Sequence, residues 1–339
     1  MLNFEEFRSY VENHVKEFLP ETLNDALVRV NDVIKNNDQV MHGISISKER
    51  SAISPIVYLE SYFEEYEKGK ELDDVLKDIV KISEIHQVNP EELDNFKDAF
   101  LDFDKVKDKI VIELVNADAN RENLKDKPYQ RMEDLAITYK LVAAKIEDST
   151  ATVRITNAHL QMWGVTKEEL HDMAIENSKR KMPAVVKPMS EIMKDIMMSD
   201  GMPEEIADMM VQETPVDKSM YVVTNADKIG GAATIVYSDA LEKLSEQLGT
   251  DLIILPSSVH EVIALSAEGL APEEMANMVV EVNENELLPE DKLSDHVYRY
   301  DAQAHTLKLA DTTLEELEKE NGRSIEQGED LAVKPKRAR

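Results

Sequence analysis

The sequence predicts an α+β fold: a largely antiparallel mixed sheet with packed helices, arranged in two lobes. Three observations carry that expectation. Apolar residues recur at both the helix and the strand period along most of the 339 residues. Strand-like runs come in neighbouring pairs joined by short turns, the pattern of hairpins rather than of the crossover units of a parallel sheet. A content of 42% hydrophobic residues, with 10 Gly, 12 Pro and no Cys, is enough to bury two modest cores without disulfide staples.

Phe4, Phe7, Val11, His14 and Phe18 recur at helical spacing, so the chain opens with an amphipathic helix that stops before Pro20. His14 falls on its apolar face and reads as a core histidine. Runs 26–35 and 39–47 flank Asn36, Asn37 and Asp38, residues that tolerate turn geometry, and predict a β-hairpin. Val40, His42, Ile44 and Ile46 share one face of it, and His42 also reads as structural. A strand-like run at 56–59 leads into a helix carrying Tyr58, Tyr62, Phe63 and Tyr66, broken at Gly69, and Leu72, Val75, Leu76, Ile79 and Ile82 mark a second helix. Aromatics at that spacing read as core before they read as a docking groove. Val106, Ile110, Val111 and Leu114 suggest one helical island in an acidic stretch, and the loosest join falls at 120–128.

The second half opens with strands at 135–144 and 152–156 across Glu147, Asp148 and Ser149. Thr166 and Glu169 form a capping box for a helix buried through Leu170, Met173 and Ala174. Residues 182–210 hold eight of the 16 Met, interrupted by Pro183, Pro188 and Pro203. Such a stretch suits a covering flap, an irregular core or an adaptable partner surface. Strands are expected at 221–223, 232–237, 252–255 and 259–265, with a helix at 239–248 boxed by Asp239 and Glu242 and stopped by Gly249. A helix beginning at Pro272, a hairpin of 297–300 with 306–309, and a short helix at 314–320 complete the reading. The expected domains are therefore 1–127, 128–311 and a terminal piece, 312–339, with a disordered basic end.

Composition excludes whole classes of chemistry. Without cysteine there is no thiolate nucleophile, zinc ribbon or iron–sulfur cluster. Thirty-nine Lys and Arg against 69 Asp and Glu leave a net charge of -30, although the last six residues (KPKRAR) carry four of the positive charges. Such a body repels phosphate backbones, so direct nucleic-acid binding is not expected. The first ten residues are acidic and lack an apolar stretch, and nowhere do eighteen apolar residues run together. A cytoplasmic address and no membrane partner are the expectation.

No phosphate loop, dinucleotide fingerprint, zincin helix, nucleophile elbow or EF-hand loop occurs, and no cofactor is expected. Gly230-Gly231 reads as a tight turn, because a strand is expected to follow it, whereas a phosphate cradle needs helix amides. The sharpest polar cluster is Ser257, Ser258, His260 and Glu261, which supplies the residue types of nucleophile, base and orienting acid. In an extended chain Ser258 and His260 share a face and Glu261 points away, so a dyad fits better than a triad. His171 with Asp172, and His296 with His305, are two-ligand pairs, too few for a metal site. Asn157 and Asn225 read as turn or cap residues.

The segments WGVTKEELHDMAIEN (163–177), YVVTN (221–225), LPSSVHE (255–261) and SDHVYRYD (294–301) resemble the bacterial domain-of-unknown-function family 5688. The opening NFEEFRSYV and the run ISPIVYLESYFEEY are similar to the same family, so the likeness covers roughly residues 1–310. The resemblance implies an uncharacterised protein of anaerobic Gram-positive bacteria and brings no activity, cofactor or catalytic residue. ELHDMAIEN and the strand ending LPSS also resemble part of the uncharacterised YtpQ-like proteins, which implies a shared α+β module.

The favoured expectation is a non-catalytic interaction or regulatory module whose Met-rich segment, with Met193, Met197 and Met198, meets an unknown protein partner. The alternatives are a hydrolase using Ser258 and His260, helped by Glu261, and an acidic mimic of nucleic acid.

Overall fold

The computed structural model describes residues 1–47, 56–85, 96, 98–146, 149–213, 220–236, 238–256 and 258–311. Its strands form three antiparallel sheets with helices packed on them, an α+β fold. The chain divides into two units, Met1–Lys181 with Pro289–Asp291, and Met182–Leu288 with the described residues from Lys292 onward.

The first unit starts with α1 (Phe4–His14), fixed by a capping box in which Asn3 Oδ1 accepts the Glu6 N–H and Glu6 Oε2 accepts the Asn3 N–H, each at 3.0 Å. The helix ends at His14, and Val15–Phe18 tightens into a 3-10 turn. His14 does not enter the core: its ring is half-exposed, pairs with Glu17 at 2.9 Å and packs on Tyr10. Strands β1 (Leu27–Ile34) and β2 (Val40–Ser47) form the expected hairpin, turned by Asn37 and Asp38 at φ 56° and 51°. Strand β3 (Ile56–Tyr58) adds to β2 and runs into α2 (Leu59–Glu67), then α3 (Leu72–Ile85). Phe7, Val11, Ile44, Ile46, Leu59, Leu76 and Ile79 close this core, and Tyr62, Phe63 and Tyr66 pack against it, so the aromatic run is core.

The expected helical island is instead a short helix, α4 (Phe103–Val106), followed by strand β4 (Ile110–Asn116). In IVIELV every residue except Glu113 is buried, and a strand buried on both faces reads as a continuous apolar run rather than an alternating one. β4 pairs with the long β6 (Leu135–Ile146). The opposite edge of β6 takes β5 (Gln130–Met132) and then β7 (Ser149–Arg154). Pairing of β4 with β6 spans the join expected at 120–128, where the short helix α5 (Arg121–Leu124) sits. Helix α6 (Asn157–Trp163), which sequence reasoning missed, stops at Gly164 in the left-handed conformation. Helix α7 (Lys167–Lys181) starts at the expected Thr166/Glu169 box and shields the free edge of β4. Ser178 Oγ accepts the Ile112 N–H at 2.9 Å, and Asn177 Nδ2 donates to the Ile110 carbonyl at 2.9 Å.

The second unit is built on a six-stranded sheet in the order β13-β12-β10-β11-β9-β8. Its strands are β8 (Ala184–Pro188), β9 (Tyr221–Asn225), β10 (Leu252–Leu255), β11 (Val262–Ser266), β12 (Tyr298–Asp301) and β13 (Thr306–Leu309). β8 was not foreseen, because Pro183, Pro188 and the methionines obscure its alternation. Helices α8 (Met189–Ser199) and α9 (Glu204–Glu213) follow it, and α10 (Ser238–Leu248) and α11 (Pro272–Asn285) complete the unit. Ile253, Leu255, Leu265, Val279 and Val297 form a core between the sheet and α11. The strand expected at 232–237 is a 3-10 helix, Gly231–Val236. Burial of Gly231 through Ile235 gives no alternation, so the letters do not separate the two conformations. Helix α10 begins at Ser238, which puts Asp239 inside the first turn rather than at the expected cap position. The helix expected at 314–320 and the basic end at 334–339 lie outside the described residues.

Candidate functional site

Two places answer to the sequence candidates, both in the second unit. The first is the turn between β10 and β11. Ser257 lies outside the described residues. Ser258 is buried, its Oγ accepts the His260 main-chain N–H at 3.0 Å, and its own N–H donates to the Glu261 carbonyl at 3.2 Å. These bonds make the hydroxyl the keystone of a short side-chain-to-backbone turn. His260 Nδ1 accepts the Gly230 N–H at 3.2 Å. The neutral imidazole in this arrangement carries its proton on Nε2.

Thr224 and Asn225, at the end of β9, belong to the same cluster. Thr224 Oγ1 donates to the His260 carbonyl at 2.8 Å, and Asn225 Nδ2 donates to the Ile229 carbonyl at 2.9 Å, while Asn225 Oδ1 is buried with no hydrogen-bond partner. Gly231 is the pivot. A Cβ there would collide with Thr224 Oγ1 and the His260 carbonyl and lie 2.7 Å from the Asn225 nitrogen. The chain thus brings Ser258, His260 and Asn225 together around a glycine turn, and these hydrogen bonds all serve the backbone.

The other histidines take separate partners. His171 belongs to the first unit, where the Tyr139 hydroxyl lies 3.0 Å from its Nδ1; burial lowers the imidazole and raises the phenol relative to their ordinary ranges. His296 Nδ1 lies 3.2 Å from Asp311 Oδ2, and His305, with φ 53° in the last hairpin, lies 3.1 Å from the Tyr300 hydroxyl. Asn157 is the first residue of α6. Among the described residues no group of three His, Asp or Glu is placed to hold a metal ion.

The second place is the α8–α9 hairpin. None of the residues of α8 is buried. Met193 and Met197 are half-buried and Met198 is exposed, beside Ile196 at 56% exposure, Ile206 at 49% and Met209 at 63%. Ala207 of α9 is fully buried, and α9 packs chiefly on α8. Lys194 ties the two helices together through Glu204 at 2.9 Å and Asp208 at 2.8 Å, and Lys187 bridges Glu191 and Asp195 at 2.8 and 3.0 Å. Those hydrogen bonds hold the Lys194 ammonium well above its ordinary range.

One group stands out that the sequence did not flag. Lys127, in the loop after α5, is pushed down to about 8 by burial and by the neighbouring Arg154, while Glu113, Asp126 and Asp38 pull the other way. Its Nζ donates to Asn123 Oδ1. Nothing in the tetrapeptide around it, KDKP, distinguishes it from a solvated loop lysine; only the fold places it beside Arg154.

No helix among the described residues is long and apolar enough to cross a membrane. No curated protein and no solved structure matches the chain. A family model described as "Family of unknown function (DUF5688)" matches residues 4–302, which takes in both clusters. The match spans the β-hairpin of the first unit, the Gly231 turn and the α8–α9 hairpin alike, and the chain belongs to the DUF5688 family.

Proposed function

We propose that the protein is a non-catalytic interaction module that docks a protein partner on the α8–α9 hairpin, with Met193, Met197 and Met198 among the contacting residues. One observation carries this reading: an eleven-residue helix with no buried residue lies beside a second helix, and apolar side chains of both face solvent. Apolar side chains left exposed on two adjacent helices mark this hairpin as a docking candidate. Unbranched methionine adapts to more than one partner shape. In the Ser258–His260 turn the hydroxyl and the imidazole Nδ1 each accept a backbone N–H, which favours an architectural role for both.

The test is affinity isolation with residue-level cross-linking from native lysate. A partner cross-linked within 189–213, and lost when Met193, Met197 and Met198 are changed to Lys, supports the reading. Cross-links elsewhere, or capture unchanged by those substitutions, overturn it.

A further inference from the structure

We propose that the segment received by the α8–α9 hairpin is a Lys/Arg-rich amphipathic helix; this rests on the hairpin being the docking face. Residues 182–213 contain seven carboxylates and two lysines. Each lysine is already shared by two carboxylates, Lys187 by Glu191 and Asp195, and Lys194 by Glu204 and Asp208. No cation of the hairpin is therefore left to receive an acidic partner, and the chain as a whole carries a charge of -30. The exposed apolar side chains of Ile196, Met198, Ile206 and Met209 are interspersed with these carboxylates along the sequence.

A neutral apolar segment would bury the hydrophobic side chains but strip water from the carboxylates without replacing it. An acidic segment or a phosphate chain would be repelled. A helix with an apolar stripe flanked by Lys or Arg satisfies both requirements at once. Its side chains at i, i+3, i+4 and i+7 meet the exposed Met and Ile side chains while its cations meet the hairpin's carboxylates.

The probe is a fluorescently labelled 18-residue helix of Leu and Lys at amphipathic spacing, titrated by anisotropy against the full chain at 50 and 300 mM NaCl. Saturable one-to-one binding is expected. It should weaken at least tenfold in the charge-neutral double variant Ile206→Gln, Met209→Gln, whose circular dichroism and thermal midpoint should match the parent. A second pair, Asp200→Asn with Glu205→Gln, keeps the apolar surface and should reduce the salt dependence.

Equal binding of a Leu/Glu peptide overturns the charge assignment while leaving apolar docking intact. Equal binding of a Ser/Lys peptide, or undiminished binding by the Gln variant, reveals plain attraction to an acidic chain and overturns the site. Absence of saturable binding overturns the partner class. The cross-linking experiment then decides separately whether the hairpin docks a protein of other chemistry.

Discussion

Asn120 Oδ1 accepts the main-chain N–H of Asn37 at 2.9 Å, a bond that spans 83 residues of sequence. The same carbonyl accepts from Asn123 Nδ2 at 2.8 Å, and Asn120 Nδ2 donates to Asn36 Oδ1, Asn37 Oδ1 and the Asn116 carbonyl at 3.0, 3.0 and 2.8 Å. Asn120 is 0% exposed, and it fixes the left-handed hairpin turn of β1–β2 against the end of β4. Asn120→Ala removes a partner from several part-buried polar groups at once and should cost about 2–3 kcal/mol in urea unfolding. Asn120→Asp keeps the acceptor, loses the donors and buries a charge, so it should cost more. A loss below about 0.5 kcal/mol for either would show that the turn holds without this residue.

This residue also shows where the sequence stopped being informative. Asn120 lies in a polar run that reads as the loosest part of the chain, because its partners are 3, 4, 83 and 84 residues away and no periodicity encodes them. The hairpins at Leu27–Ser47 and Leu252–Ser266 were legible, since alternation and turn residues are local. β4 and the Gly231–Val236 turn were not, because total burial erases the difference between helix and strand. Of the candidate site, the methionine concentration was visible in composition, but the exposure of Ile196, Ile206 and Met209 depends on what else packs there.

Gly231 has no room for a side chain although its φ is not in the left-handed region. A methyl group would strike the Thr224 hydroxyl and the His260 carbonyl, and the carbonyl is backbone that cannot rotate away. Gly231→Ala should therefore destabilise the second unit by about 3 kcal/mol or more. Adding Thr224→Ala should recover only part of that. Full recovery in the double variant would place the whole clash on the hydroxyl.

Lys127 makes stability depend on alkaline pH. Its folded value, about 8, lies below that of an unfolded lysine, so the unfolded chain binds the extra proton between these values. Stability should accordingly rise as pH increases from about 8 to about 10, by roughly 1 kcal/mol once solvent screening of a half-exposed group is allowed for. Lys127→Met should flatten that rise in urea unfolding followed across this window. The same depression predicts that Lys127 is acylated ahead of the other lysines by an active ester at pH 7.5, read by peptide mass spectrometry. Uniform modification of all lysines would contradict the assigned environment.

Ser258 tests whether the hydroxyl and imidazole of the β10–β11 turn work on the backbone or on a substrate. Its Oγ already accepts the His260 N–H, and His260 Nδ1 already accepts the Gly230 N–H, which leaves the neutral ring with a proton-bearing Nε2. A general base needs an accepting nitrogen aimed at the hydroxyl. Ser258→Ala should cost about 1 kcal/mol, the net worth of one buried hydrogen bond, and Ser258→Thr should retain most of that stability because it keeps the acceptor. Neither parent nor variant should be labelled by a serine-directed phosphonate. Labelling of the folded parent that vanishes in Ser258→Ala, with stability unchanged, would move the turn from architecture to chemistry and displace the docking hairpin as the functional centre.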